Sequence, residues 1–183
     1  CSTKWMRGTV NSFFIGITAT FIATSLGTLA ALGLSRPHMP FKGIIMAVLI
    51  SPMIVPLIIT AAGMFFFYAR VNLVYTFTGI ILAHVALATP FVVITVTATL
   101  VGFDMNMVKA SQSLGARPTR TFFKVIMPLI LPGIISGALF AFITSFDEVV
   151  IVMFMGSLDQ LTIPKQMWAG IRQEISPVIL CMA

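Results

Sequence analysis

The sequence predicts an all-α polytopic membrane bundle. Its mean hydropathy is +1.06, only 9% of its 183 residues are charged, and its cations fall between long uncharged runs. Soluble domains carry charge on roughly a quarter of their residues, so this chain could not cover a water-facing surface. That composition excludes a soluble enzyme, a soluble nucleic-acid-binding domain and a disordered chain, and leaves one membrane domain over residues 1–183. The net charge of +6 has the layout of a topology signal rather than of a nucleic-acid site. Cys1 and Cys181 stand at opposite ends and form no paired motif.

The first span is expected at residues 10–34, uncharged throughout and long enough, at about 1.5 Å per residue, to cross roughly 30 Å of hydrocarbon. Gly16, Ala19, Ala23, Ser25, Gly27 and Ala30 suit close helix contact in lipid. Pro37 and Pro40 then mark a loop. The second span, 43–69, contains Pro52 and Pro56, each lacking a backbone donor, so it should bend or break near its middle, as a packing kink or as a gating hinge. The third, 77–101, holds a lone His84 with no second His, Cys or carboxylate nearby, for which a hydrogen-bonded packing role is expected. The fourth, 128–155, carries Gly133 and Gly137 in a GxxxG spacing that usually means helix packing, and runs uncharged from Pro132 to Asp147-Glu148. A further span is expected to start at 177.

Alternating spans put Arg36, Lys42, Lys109, Arg117, Arg120 and Lys124 on one side, against Lys4, Arg7, Arg70, Lys165 and Arg172 on the other. This small bias favours the first side as cytoplasmic. There the loop 102–127 is predicted to form a helix, a glycine turn and a second helix. Asp104 is the N-cap, Gly115 the C-terminal stop, and Pro118 lies in the first turn of the second helix. The loop is either a membrane-surface amphipathic segment or an element that a partner protein grips.

Asp147 and Glu148 are expected about 22 Å along a helix from Pro132. A carboxylate at membrane depth costs about 2.5–3.5 kcal/mol on insertion scales, so it should face protein or water. Lining a passage for a cationic solute, pairing with a cation elsewhere in the complex and resting at the outer membrane interface are all open. Between 157 and 176, Ile163, Met167, Trp168 and Ile171 fit one helix face, with Trp168 an interfacial anchor. No phosphate-binding GxxxxGK[ST] loop, HExxH, paired-Cys metal site or GxSxG elbow occurs. The chain is therefore expected to be no enzyme, with no catalytic residue, metal or cofactor of its own.

The loop carries a resemblance. Lys109-Ala110-Ser111 is followed after three residues by Gly115, and after nine more by Val125-Ile126-Met127-Pro128. This resembles the motif of inner-membrane permeases of binding-protein-dependent ABC importers: EAA, three residues, Gly, nine residues, Ile-x-Leu-Pro. Lys109 departs from it, standing where the family usually has Glu. The segments 51–56 (SPMIVP), 89–93 (TPFVV), 102–104 (GFD), 145–150 (SFDEVV) and 171–177 (IRQEISP) look most like the spermidine/putrescine permease branch.

The resemblance implies a type I ABC-importer permease fold, of the methionine-importer-permease kind, in a bacterial inner membrane. Members usually have six spans, so the chain is expected to lack the first and most of the last, as a fragment or truncated product. It implies an ATPase-coupling loop at Lys109, Ala110, Ser111, Gly115, Ala116, Arg117 and Pro128; the candidates for a translocation pathway, Asp147 and Glu148, rest on their charge at membrane depth. The implied partners are an ABC ATPase subunit, a second permease subunit, a periplasmic solute-binding protein meeting the 157–176 segment, and the lipid membrane, with no nucleic acid. The implied function is passage of a small cationic solute such as a polyamine. The alternatives are an ATP-independent secondary transporter or channel subunit, which would want inverted repeats and coupling groups, and an intramembrane enzyme, which would want a partner for His84.

Overall fold

The computed structural model describes residues 3–36, 39–102 and 104–173. The span expected from 177 lies outside these. The elements are helical: α1 (Thr3–Leu34), α2 (Lys42–Ile54), α3 (Leu57–Arg70), α4 (Phe77–Val101), α5 (Met105–Ser113), α6 (Pro118–Thr121), α7 (Met127–Phe146), α8 (Val150–Met155) and α9 (Ile163–Gln173). Among the described residues, three helical rods are long and apolar enough to cross a membrane: Lys4–Leu34, Phe77–Val101 and Pro118–Phe146. The pair α2 and α3, bent by 106°, passes the same test of length and composition only when taken together, as a broken span or a re-entrant loop. The bend sits at Val55-Pro56, after Pro52 has removed a donor inside α2.

The core is α4, packed between α1 and α7. Lipid offers apolar side chains little reason to leave it, so helices associate there by close van der Waals contact and small residues. On α1 the buried residues Ile15, Ala19, Ala23, Gly27 and Ala31 recur every four positions and form a stripe facing the bundle. A Cβ on Gly27 would stand 2.7 Å from that of Val92, so the two backbones approach because Gly27 has none. Phe14 meets Phe77, and Gly27 meets Val92, so α1 and α4 run parallel. The α7 helix runs antiparallel to α4: Gly133 lies on Thr99, Gly137 on Thr95 and Val92, and Ser145 on His84. His84 is buried, and its Nδ1 lies 2.8 Å from the Ser145 hydroxyl, a polar tie between the two rods.

Two features differ from the expectation of uninterrupted runs. The α1 helix begins at Thr3, before the apolar run, so Lys4 and Arg7 sit on its outer turns. The fourth run is not one helix. It stops at Phe146 and resumes as the short α8 at Val150. Beyond these, Phe21, Leu29, Phe66 and Leu139 point outward, as lipid-facing or subunit-facing side chains do.

The glycine contact between α4 and α7 can be tested by enlargement. A Cβ at Gly137 would stand 2.5 Å from the Thr95 hydroxyl and 3.0 Å from the Val92 Cα, whereas one at Gly63 meets nothing within 4 Å. Gly137→Leu is expected to cost about 1–3 kcal/mol of packing and lower the thermal midpoint in detergent, while Gly63→Leu leaves it in place. Equal midpoints for the two would remove the close-packed contact from the account.

Candidate functional site

Two regions gather the residues singled out from sequence, one at each end of the bundle. At the first, the chain leaves α4 at Gly102 and makes an elbow. The Asp104 carboxylate accepts the Asn106 N–H at 2.9 Å and starts α5. The helix ends in a pattern that uses its last carbonyls: Leu114 N–H donates to Ala110, Gly115 N–H to Gln112 and Ala116 N–H to Ser111, at 2.9–3.1 Å. Gly115 has φ +79°, a conformation that costs other residues a Cβ clash. Arg117 then caps α6, with Pro118 in its first turn.

The second arm of the elbow is continuous with a membrane span. A π turn, Phe122–Ile126, joins α6 to α7, so Pro118–Phe146 is one rod. The two arms are joined where the Ser111 and Thr121 hydroxyls lie 2.6 Å apart, with Thr121 buried. A cleft of about 310 Å³ remains inside the bend, lined by residues that include Leu114, Gly115, Ala116, Arg120 and Lys124.

Of the expected coupling residues, Lys109, Ala110, Gly115, Arg117 and Pro128 are exposed, and Ser111 and Ala116 are half-buried. All but Pro128 lie on the elbow. Pro128 stands beyond the π turn, in the first turn of α7. The Ser111–Thr121 contact and the π turn were not foreseen. Thr121 falls in the predicted second helix with nothing to mark it as a partner of Ser111, and nothing in residues 122–126 distinguishes a π turn from an α turn.

At the opposite end, Asp147 and Glu148 do not share a helix, contrary to the sequence expectation. Asp147 is the exposed C-cap of α7, its N–H bonded to the Ile143 carbonyl at 3.0 Å. Glu148 turns inward, is only 7% exposed, and accepts the Ile151 N–H at 2.9 Å at the start of α8. The break has a physical cause: a carboxylate three residues before Ile151 offers a free N–H of the next helix a charged acceptor. One carboxylate is thus engaged with backbone and the other is exposed. Beside them Phe146 packs edge-on to Phe13 and stacks on Phe142.

A polar clamp surrounds the loop 156–163 at this end of the bundle. Ser157 and Gln160 form a capping box, and the Gln160 amide donates to the Tyr75 carbonyl at 2.8 Å. Asn11 donates to the carbonyls of Asp159 and Leu161, and the Ser12 hydroxyl accepts the Ile163 N–H. Lys165 donates to the carbonyls of Val152 and Gly156, closing the end of α8, and burial pushes its ammonium below its ordinary pKa. The S-x-x-Q spacing at 157–160 was a legible signal for part of this, whereas Asn11 and Ser12 looked like polar residues in an apolar run. The α9 helix runs Ile163–Gln173, with Ile163 buried and Trp168 about half exposed. Among the described residues no group of three or more His, Cys, Asp or Glu could hold a metal ion.

Comparison with known proteins gives a consistent answer. Residues 23–183 match the family model of the binding-protein-dependent transport system inner membrane component. The chain is 29% identical over 178 residues to the spermidine/putrescine transport system permease protein PotC of Haemophilus influenzae, covering 97% of this chain and 69% of that one. It is 28% identical over 200 residues to the putrescine transport system permease protein PotI of Escherichia coli, covering 100% of this chain and 71% of that one. In fold it is similar to a chain of the inward-facing MetNI methionine ABC transporter, with a TM-score of 0.74 at 19% identity over 96% of this chain and 84% of that one. The fold is therefore that of a type I ABC-importer permease.

The clamp makes its own prediction. Asn11→Ala removes both bonds that tie residues 159 and 161 to α1. Added protease should cut the 156–163 loop faster in the variant, with the elbow cut at the wild-type rate. Uniform acceleration at both ends would mean global unfolding instead of a released clamp.

Proposed function

The chain belongs to the family of inner-membrane components of binding-protein-dependent transport systems, and from that premise we propose that it passes a small cationic solute, a polyamine, across the membrane under the drive of a separate ATPase. As a multi-span ABC-importer permease subunit it is a transport protein, not an enzyme. The elbow carries the proposal. It is an exposed two-armed element whose second arm continues through the π turn into α7. The glycine joint, with φ +79°, stands at the position of the family's motif glycine.

In this reading the ATPase grips the elbow at Lys109, Ala110, Ser111, Gly115, Ala116 and Arg117. Closure of the ATPase around nucleotide pushes the elbow, the Ser111–Thr121 contact keeps the two arms together, and α7 moves with them. A grip that differs between inward-open and outward-open states is what turns binding into transport. Pro128, in the first turn of α7, lies within the rod that begins at Pro118. The second permease subunit completes the passage, and the solute-binding protein delivers the solute at the outer loop that α9 and the clamp present.

The names of the relatives support a polyamine, and so does the free carboxylate. Asp147 is exposed at the outer end of α7, where an ammonium group entering the passage would meet it. Glu148 serves the fold, because its oxygen already holds the Ile151 N–H. Asp147→Asn should therefore lower uptake of labelled putrescine severalfold with the complex intact, while Glu148→Ala should lower the amount of assembled complex. The opposite assignment of the two effects would reverse their roles.

The coupling is tested at the joint. Gly115→Val puts a β-branched residue at a positive φ. Uptake should fall to background while the permease remains in the membrane. Full uptake by this variant, or an intact complex that never retains an ATPase on purification, would overturn the importer mechanism.

A further inference from the structure

The inside of the elbow carries more than the motif explains. Lys109, Arg117, Arg120 and Lys124 are all exposed. Among the described residues the carboxylate at this end of the bundle is Asp104, and it is engaged with the Asn106 N–H. Asp147, Glu148 and Asp159 lie at the opposite end. Among the described residues the four cations of the elbow thus stand against one carboxylate at this end of the bundle.

Two of them, Arg120 and Lys124, line the cleft inside the bend. They share it with apolar Leu114 and Val125 and with the glycine joint at Gly115. Leu114 is 89% exposed, the most exposed of the large apolar side chains described. A concave site with apolar walls and two cations suits a short aliphatic stem ending in a carboxylate, that is, a Glu or Asp side chain. A guanidinium offers such a group paired donors, and an ammonium adds a point charge.

We propose that this cleft receives an acidic side chain of the ATPase subunit, so that the permease recognises its ATPase by opposite charge and seats Leu114 in an apolar pocket beside it. The proposal rests on the importer reading and adds the chemistry of the partner surface. It makes the elbow a receptor as well as a knob. With Lys109 and Arg117 exposed as well, a partner surface lined with basic residues would be repelled, which gives discrimination among ATPases as well as affinity.

The test uses the complete importer, with both permeases and the ATPase, in nanodiscs of neutral phosphatidylcholine. Arg120→Gln with Lys124→Gln should weaken ATPase association by about tenfold, and Arg120→Glu with Lys124→Glu should weaken it further. Wild-type association should weaken as salt is raised, because exposed pairs are screened over about 10 Å at 0.1 M. Changing the matching ATPase carboxylate to Lys should restore binding to the reversed variant. Should a double variant fail to assemble with the second permease, Lys124→Gln alone and the wild-type salt series decide the matter.

Unchanged affinity in the variants, or wild-type affinity indifferent to salt, would overturn the charge proposal and leave the importer reading standing. A loss seen in anionic phosphatidylglycerol discs but not in neutral ones would also overturn it, assigning the cations to lipid headgroups. A wild-type complex that binds no ATPase would instead bring down the importer reading, and this inference with it.

Discussion

The close approach of α7 to α4 at Gly133 and Gly137 is the contact on which the rest depends. Inside a bilayer the usual reward for burying apolar surface is missing, since lipid chains already provide an apolar surrounding. What holds two rods together is the number of atoms brought into contact, and glycine brings backbone to backbone. On α4 the facing positions are Val92, Thr95 and Thr99, whose branched side chains fill the space that the glycines vacate. The Thr95 and Thr99 hydroxyls bond to carbonyls of their own helix. Neither therefore brings an unsatisfied group into the contact. With α1 packed on the other flank of α4 by its own small residues, the bundle becomes a rigid frame, and the elbow and the outer loop are built at its two ends.

Much of this frame was legible in the sequence because the bilayer permits few solutions. Long uncharged runs must be helices, Pro52 and Pro56 must disturb the span that holds them, and Asp104, Gly115 and Pro118 are local signals whose effects act within a few residues. The break at 147–149 was hidden for the opposite reason. Phe146 to Met155 reads as a helix continued through two charges, and only the inward turn of Glu148 onto the Ile151 N–H divides it. The Ser111–Thr121 contact and the Asn11 clamp were hidden because they join residues far apart in the chain or of unremarkable type. Hydrogen bonds of that kind follow from the fold and leave no local pattern.

The two ends of the bundle differ in how their charges are used. At the outer end Glu148 and Lys165 are both engaged with backbone, closing the two ends of α8, and Asp147 is left free. At the elbow the four cations are free and the lone carboxylate described there is engaged. At the end opposite the elbow the exposed charges are of both signs, since Lys4, Arg7 and Arg70 stand there with Asp147, whereas the elbow's exposed cations outnumber its one described carboxylate. That difference gives the proposed roles their physical basis: an exposed carboxylate at the end proposed for solute entry, and an electropositive surface at the end proposed for the ATPase.

The π turn at Phe122–Ile126 has a geometric consequence for the rod it interrupts. An α-helix advances about 100° per residue, and a π turn accommodates one residue more than an α turn in the same stretch. The azimuth of α7 relative to α6 is therefore set at that point. Loss of a single residue from 122–126 would let the rod relax into continuous α-helix with both flanking segments kept in phase. The same loss within α4 would swing half of that helix around, carrying Thr95 and Thr99 away from the glycines. The turn is thus the place along this rod where chain length can drift by one without misaligning the bundle.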